Sequence, residues 1–445
     1  MTKIKRRERD AVLQSLQAGL VPKQGLHLIQ VGRKQEVQAV LSDFDRAAEG
    51  GAGFRLVVGR FGSGKSFFLN LMRTQALARK LVVAQADMSM ERRLQASGGQ
   101  AQNLYAELMR NLAIKSKPDG GALRNLVEGW VSSVHHEVTS TGGSEADVRQ
   151  RIVADLRDLQ DFVGGFEFAE VLGRYYDGHV EGDEGLQTAA LRWLRAEYST
   201  KTEARKDLGV RRIIGDENFY DSLKLMAAFC AKAGYSGMVV CLDELVVLSH
   251  RLPSSRARKT NYEAILTMLN DCLQGSAANI GFILAGTDEF VDDERRGLAS
   301  YEALRTRLSG NQFAGNGVVD YSGPVIRLQN LTPEDLFVLL QNIRNVHSSG
   351  DPANDLVPDA CIMAVLQKAN ETLGAEFYKT PRDVIRSFVG LLNVLEQNPG
   401  TSWEDLLGQD NVIQKPAHAQ SVEEEVAIGI GAPDDEDDDL GSLRL

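Results

Sequence analysis

The sequence is poor in cysteine. It has four, Cys230, Cys241, Cys272 and Cys361, and no CxxC pair. That excludes a disulfide framework and a cysteine-rich zinc site, and the apolar surroundings of all four suit buried small hydrophobes. The seven histidines show no metal-ligand spacing; the adjacent His135 and His136 would point to different faces of a helix. No apolar run reaches the roughly 18 residues that a membrane-spanning helix needs. The opening MTKIKRRERD is basic but has no apolar segment of the secretory kind. A cytoplasmic protein with no membrane partner is therefore expected. No internal repeat recurs at a fixed period.

With 445 residues and 43% hydrophobic content, the chain can bury a substantial core, as one large domain with insertions or as two ordinary ones. Its net charge of −11 is unevenly placed: residues 421–445 hold nine acids against the single base Arg444, so this tail carries −8 and everything before it −3. A mildly acidic body neither requires nor excludes a nucleic-acid partner, because a local basic groove can coexist with a negative total.

Five short apolar runs read as strands: FRLVV (54–58), LVVAQAD (81–87), GMVVCLDE (237–244), NIGFILAGT (279–287) and PVIRL (324–328). Helical patterns separate them, which predicts an α/β fold with a parallel five-stranded sheet buried on both faces. The organisation expected is N-terminal helices over 1–50, a core over 51–100 and 216–330, a helical insertion over 101–215, a C-terminal helical lid over 331–408, and an acidic tail over 409–445 too polar to order itself. That tail, ending DDEDDDLGSLRL, could grip a partner, mimic DNA, or simply add solubility.

GRFGSGKS (59–66) matches GxxxxGK[ST] between a strand and a helix, the setting in which this pattern binds phosphates. Gly59, Gly62, Ser63 and Gly64 let backbone N–H groups turn inward, and Lys65 supplies charge to the β and γ oxygens. The Ser66 hydroxyl suits Mg²⁺, and Phe67 opens the following helix. The ligands expected are ATP and Mg²⁺. Asp243 and Glu244 end an apolar strand, so the sheet delivers two carboxylates to its ligand-binding edge. Asp243 is expected to hold Mg²⁺ through its water shell, and Glu244 to orient the attacking water.

Thr287 ends the fourth strand, where it could read the γ-phosphate or the attacking water, or cap the next helix. Arg295, Arg296, Arg305 and Arg307 follow; a guanidinium among them could reach a neighbouring subunit's γ-phosphate, which would make the working form a homo-oligomer, or the group could be a solvated helix face. Arg382, in TPRD at the start of a lid helix, is placed to meet the phosphates from the lid side or to form a helix-end ion pair. The basic groups Arg92–Arg93 and Lys201, Arg205, Lys206, Arg211 and Arg212 could touch nucleic-acid phosphates, with Tyr105 or Tyr220 to stack bases, or be solvated helix faces.

The phosphate loop, the DE strand end, Thr287, LRTRL and the TPR turn occur in the order found in AAA+ ATPases of the origin-recognition group. IQVGR also looks like their adenine-side box, which implies Ile29, Val31 and Gly32 near the base. More closely, VVGRFGSGKSFFLNLMR, FYDSLKLMAAFCAKAGYSGMVVCLDEL and LNDCLQGSAANIGFILAGTDEF resemble the BrxC/BrxD-type ATPases of bacterial BREX phage-defence loci. Within that family the chain looks most like the ATPase of the Shango defence system, which implies a DEAD/DEAH-box helicase and a TerB-domain protein as partners and action on DNA. The function expected is ATP hydrolysis in anti-phage defence; the alternative is a slow ATP-dependent switch or scaffold that recruits a defence effector.

Overall fold

The computed structural model describes residues 4–60, 62–313, 319–373 and 381–408. Its sheet has five parallel strands, β1 (Ala52–Val58), β2 (Val82–Asp87), β3 (Met238–Asp243), β4 (Ile280–Gly286) and β5 (Val325–Arg327), in the order β2-β3-β4-β1-β5. All five coincide with the expected apolar runs. β1, β3 and β4 are buried along their whole length, whereas the edge strands β2 and β5 end in exposed residues. Each internal strand needs helices over both faces, and the alternation of side chains decides which helices meet which residues.

On one face Val57, Val83, Val239, Cys241, Ile283 and Ala285 meet α2 (Lys34–Ala48) and α3 (Lys65–Ala78). Their adjacent neighbours, among them Leu56, Ala84, Val240, Leu242 and Leu284, face the opposite way into a larger apolar core. That second core takes in α4 (Gln100–Arg110), α10 (Phe219–Lys232) and α11 (Ser255–Gln274), together with the inserted helices α5 (Leu123–Ser140), α6 (Glu145–Asp155), α7 (Gly165–Glu181), α8 (Glu184–Leu194) and α9 (Lys201–Leu208). The insertion is thus continuous with the sheet's own core. Trp130 and Phe168 both meet Phe229 of α10 edge to face, at centroid distances of 5.3 and 5.7 Å. Asp216 closes the excursion by accepting the Gly99, Ala101 and Gln102 N–H groups at 2.7, 2.8 and 2.9 Å, so one carboxylate binds the exit of the insertion to the N-terminus of α4.

A third apolar cluster stands apart from the sheet. It joins α14 (Pro333–His347), α15 (Asp359–Leu373), α16 (Pro381–Gln397) and α17 (Trp403–Leu407) to the first helix, α1 (Arg6–Gln17), through Val12, Leu13, Leu16, Leu340, Ile343, Phe388 and Leu392. α1 and α2 are neighbours in sequence but part company here: α1 lies on the lid and α2 on the sheet. The chain therefore crosses between the two bodies twice, once in the stretch from Leu26 to Arg33 and once between β5 and α14. Two short helices, α12 (Asp288–Asp292) and α13 (Glu302–Leu308), carry the chain away from β4. The acidic tail and Thr380 of the TPR turn lie outside the described residues.

Candidate nucleotide-binding site

The strand order places β4 between β1 and β3, and all three end at the same edge. Val58 pairs with Gly286 and Leu242 with Leu284. Just beyond the strands, Gly59 N–H donates to the Gly286 carbonyl at 3.3 Å and Leu245 N–H to the Ala285 carbonyl at 3.2 Å. Thr287 is thereby seated between the phosphate loop and the Asp243–Glu244 turn. Backbone hydrogen bonding, rather than any flexible loop, sets these three groups beside one another.

Gly62 and Gly64 have φ of 79° and 86°, left-handed values that a side chain disfavours. At Gly59 the constraint is space: a Cβ there would come within 2.5 Å of Ser63 Oγ. Ser63 is buried, and its hydroxyl has no hydrogen-bond partner among the described residues. Lys65 opens α3 with its ammonium group over the loop, donating to the Gly59 and Arg60 carbonyls at 2.7 and 3.0 Å. Burial lowers its pKa, against the opposing pull of Asp243, Glu244, Asp288 and Glu289. Four carboxylates around one ammonium define where a cationic and an anionic wall meet.

Ser66 Oγ lies 3.3 Å from Asp243 Oδ2. A hydroxyl and a carboxylate converging this closely form the all-oxygen donor set that a hard divalent cation prefers, so the residues present fit Mg²⁺. Asp243 is buried, and burial raises its pKa; the carboxylates of Glu244 and Asp87 push the same way, while the Glu244 N–H and Lys65 oppose. Glu244 is exposed and has φ 59°, unusual for a side-chain-bearing residue. Its N–H donates to Asp243 Oδ1 at 2.8 Å. The two carboxylates are thus separated by environment, one buried beside the Ser66 hydroxyl and one open to the cleft.

Thr287 caps α12, its Oγ1 accepting from Phe290 N–H at 3.3 Å. The capping alternative is therefore present, and it uses only the acceptor side of the hydroxyl; the O–H proton can still be donated. Asp87, opposite Asp243 in the β2–β3 register, escaped sequence reading. A carboxylate at the end of an edge strand has no local signature, and only the strand order brings it here.

Arg33 was also missed, although it closes IQVGR. With φ 57° it precedes α2, and its Nη2 donates to the Ser63 carbonyl at 2.5 Å and the Gln329 carbonyl at 3.3 Å. Nη1 is buried without a hydrogen-bond partner among the described residues. Burial lowers the guanidinium's pKa against Glu36 and Asp335. Both lid crossings and the phosphate loop thus meet at one side chain. Ile29 is buried in the lid cluster, and Val31 is half-buried against it. Phe67 touches both the lid cluster and the α2–α3 side of the sheet. At Gly32, φ 60°, a Cβ would lie 3.2 Å from Asp335 Oδ1 of α14.

The remaining arginines lie elsewhere. Arg305 and Arg307 are exposed on α13, and neither makes an ion pair among the described residues; Arg307 donates to the Ala303 carbonyl at 3.1 Å, within its own helix. Arg382 is exposed on α16, its guanidinium so close to Gly19, just past α1, that a Cβ there would meet Nε at 2.6 Å. The base-stacking expectation fails on burial and partners. Tyr105 has no exposed surface, while Tyr220 packs on Phe282, donates to Asp271 and lies under Lys224. Arg92 is 3.6 Å from Glu107, an ion pair within the protein's own surface.

Residues 4–411 match the family model of the BREX system ATP-binding protein BrxC/D. The chain belongs to that family. No curated protein matches it. As a BrxC/D protein it is an ATP-binding component of an anti-phage system, and its P-loop NTPase core, helical insertion and C-terminal lid are the architecture described above. No helix among the described residues is long and apolar enough to cross a membrane.

Proposed function

We propose that this BrxC/D protein hydrolyses ATP, with Mg²⁺, at the edge shared by β1, β3 and β4, and that it does so in the cytoplasm as a homo-oligomer. The observation that carries the reading is the 3.3 Å approach of Ser66 Oγ to Asp243 Oδ2 beneath an exposed Glu244. The N–H groups of residues 62–66 and the Lys65 ammonium hold the phosphates. Mg²⁺, held by Ser66 and through water by Asp243, would neutralise charge that builds on the phosphate oxygens. Glu244 accepts a proton from the attacking water as oxygen bonds to the γ-phosphorus, and the bond from phosphorus to the ADP oxygen breaks. Thr287 donates its hydroxyl proton to the γ-phosphate or that water.

Arg305 and Arg307, exposed and without an ion pair among the described residues, supply charge to the site of a neighbouring subunit, and Arg382 approaches from the lid. Val31, Gly32 and Ile29 border the base. By resemblance to the Shango ATPase, the partners are a DEAD/DEAH-box helicase and a TerB-domain protein, with DNA as the substrate of the assembly. ATPase rates measured with and without DNA, at several protein concentrations, test stimulation and assembly together.

Two variants test the chemistry itself. Lys65→Ala is expected to lose nucleotide binding. Glu244→Gln is expected to keep binding and lose turnover by on the order of 10²–10⁴-fold, the usual contribution of a positioned base. Turnover and phage protection that survive both substitutions would remove the proposal.

A further inference from the structure

A chain of contacts leaves the hydrolytic edge and ends at the exposed arginines. Directly after Glu244 the backbone turns on itself, with Val247 N–H donating to the Glu244 carbonyl at 3.1 Å and Leu248 N–H to Leu245 at 2.9 Å. It continues into a single wide π-turn, Val247–Arg251. Such turns are rare and recur at functional places in proteins. Ser249 within it is wholly buried, its Oγ 3.0 Å from the Val246 carbonyl and 2.7 Å from His250 Nδ1. The other ring nitrogen, Nε2, lies 3.5 Å from Asp293 Oδ2.

Serine, histidine and aspartate in this succession suggest a nucleophile at first sight. Burial excludes it, since no substrate can reach a hydroxyl with no exposed surface. What the succession does is fix His250 from both sides. Asp293 spends its second oxygen, Oδ1, on the Arg295 and Arg296 N–H groups, at 2.7 and 3.1 Å. Tyr262 Oη donates to the Arg296 carbonyl. Gly297 closes the corner where nothing larger fits, because a Cβ would lie 2.8 Å from each of three carbonyls, those of Asp293, Glu289 and Phe290. From this corner the chain runs through the short turn Leu298–Ser300, anchored by buried Leu298, into α13 with Arg305 and Arg307.

We propose that His250 is a positioning residue that ties the Glu244 turn to the Asp293–Gly297 corner, and so holds Arg305 and Arg307 on the face presented to a neighbouring subunit. The proposal rests on the reading that these arginines act in trans. Through this link, the state of one subunit's Glu244 turn reaches the arginines it offers to the next. Without the imidazole, the corner keeps its internal hydrogen bonds and its apolar packing but loses its polar tie to the turn that follows β3.

Mixed assemblies test this with the full-length chain. The acceptor is the Arg305→Ala/Arg307→Ala double variant, whose own site is intact, and the donor is Glu244→Gln, whose arginines are intact. If arginines act in trans, excess donor raises the acceptor's ATP turnover, by at least about tenfold given that such an arginine is worth on the order of 10³–10⁵. Absence of any rise removes the trans reading and this inference with it. Given a rise, a Glu244→Gln/His250→Ala donor is expected to lose at least about nine-tenths of it. His250→Gln, which keeps a polar group facing Asp293, is expected to restore part. An acceptor that also carries His250→Ala is expected to respond as the double variant does, because Glu244 in its own site is held by β3 and by the Leu245 N–H bond to the Ala285 carbonyl rather than by the imidazole. A His250→Ala donor as effective as its parent overturns the inference while leaving the trans reading in place. Equal loss in the donor and acceptor roles overturns it as well, since that is the mark of general damage rather than of positioning.

Discussion

The sheet and the lid bury apolar side chains equally well, yet they hold polar groups in different ways. At the sheet edge, Ser66, Asp243, Glu244 and Thr287 follow immediately from three buried parallel strands, and neighbouring backbone hydrogen bonds fix their relative positions. In the lid, the apolar cluster is separate, and its approach to the site depends on Val31, Phe67 and the two crossing segments. The groups that need the most exact placement are thus built on register, whereas those on the lid side stand on a separate apolar cluster. Arg33 joins the two, which makes it the place to test whether they are as distinct as their cores.

The strongest test compares two fully buried side chains. Leu284 lies in β4 between β1 and β3, and Phe388 in the centre of α16. Truncating either to alanine should cost about 2–5 kcal/mol, from lost burial and the cavity left behind. The consequences should differ. Leu284→Ala should weaken nucleotide binding along with stability, because it loosens the strand under Thr287. Phe388→Ala should open α14 and α16 to hydrogen exchange first, while the amides of β1, β3 and β4 stay protected. Strands that lose protection together with the lid would show that the two clusters unfold as one.

Arg33→Ala comes next in size. A hydrogen bond from a charged group is worth about 1.5–3 kcal/mol, which corresponds to roughly 10–100-fold in nucleotide affinity if the phosphate loop depends on it. Arg33→Lys should restore only part of the affinity: both carbonyls accept from the single nitrogen Nη2, which an ammonium can replace, but the shorter lysine gives up reach and the packing of the buried guanidinium. Titration of nucleotide into both variants measures this. An unchanged affinity would make Arg33 a structural clasp between lid and sheet with no bearing on the loop.

The same contrast explains what could be read in the sequence. All five strands were legible because a parallel sheet covered by helices needs mostly apolar strands, and the phosphate loop was legible because its glycines, lysine and serine are close in sequence. Asp243 and Glu244 were legible from the strand in front of them. Asp87 and Arg33 were not, since each acquires its position from partners far along the chain: Asp87 through the β2–β3 register, Arg33 through Ser63 and Gln329. The placement of α1 on the lid was hidden for a related reason. Its helical spacing shows that it has an apolar face, and nothing local states which of three clusters that face joins. Tyr105 taught the converse, as an aromatic near basic residues proved to be core.

The smallest effect separates the lid from the sheet by pH. His347 ends α14 with a side chain only 4% exposed, its Nε2 3.5 Å from Glu396 Oε2 and its carbonyl accepting from Arg9 Nε of α1 at 2.7 Å. Burial lowers its pKa, with Glu396 opposing and Arg9 adding to the shift. The unfolded chain therefore takes up a proton near the ordinary histidine value of about 6.5, before the folded chain does. Protonation in that window favours the unfolded state, so the contribution of neutral His347 is present above about pH 6.5 and is lost as pH falls toward the folded value. Hydrogen exchange in α1 and α14 should accelerate between about pH 7 and 5.5, after correction for intrinsic rates, by more than exchange in β1 and β4. His347→Gln, which carries no titrating proton, should flatten that difference. If the strands and the lid respond alike, or if the substitution changes nothing, the seam between α1 and α14 is not where the lid feels acid.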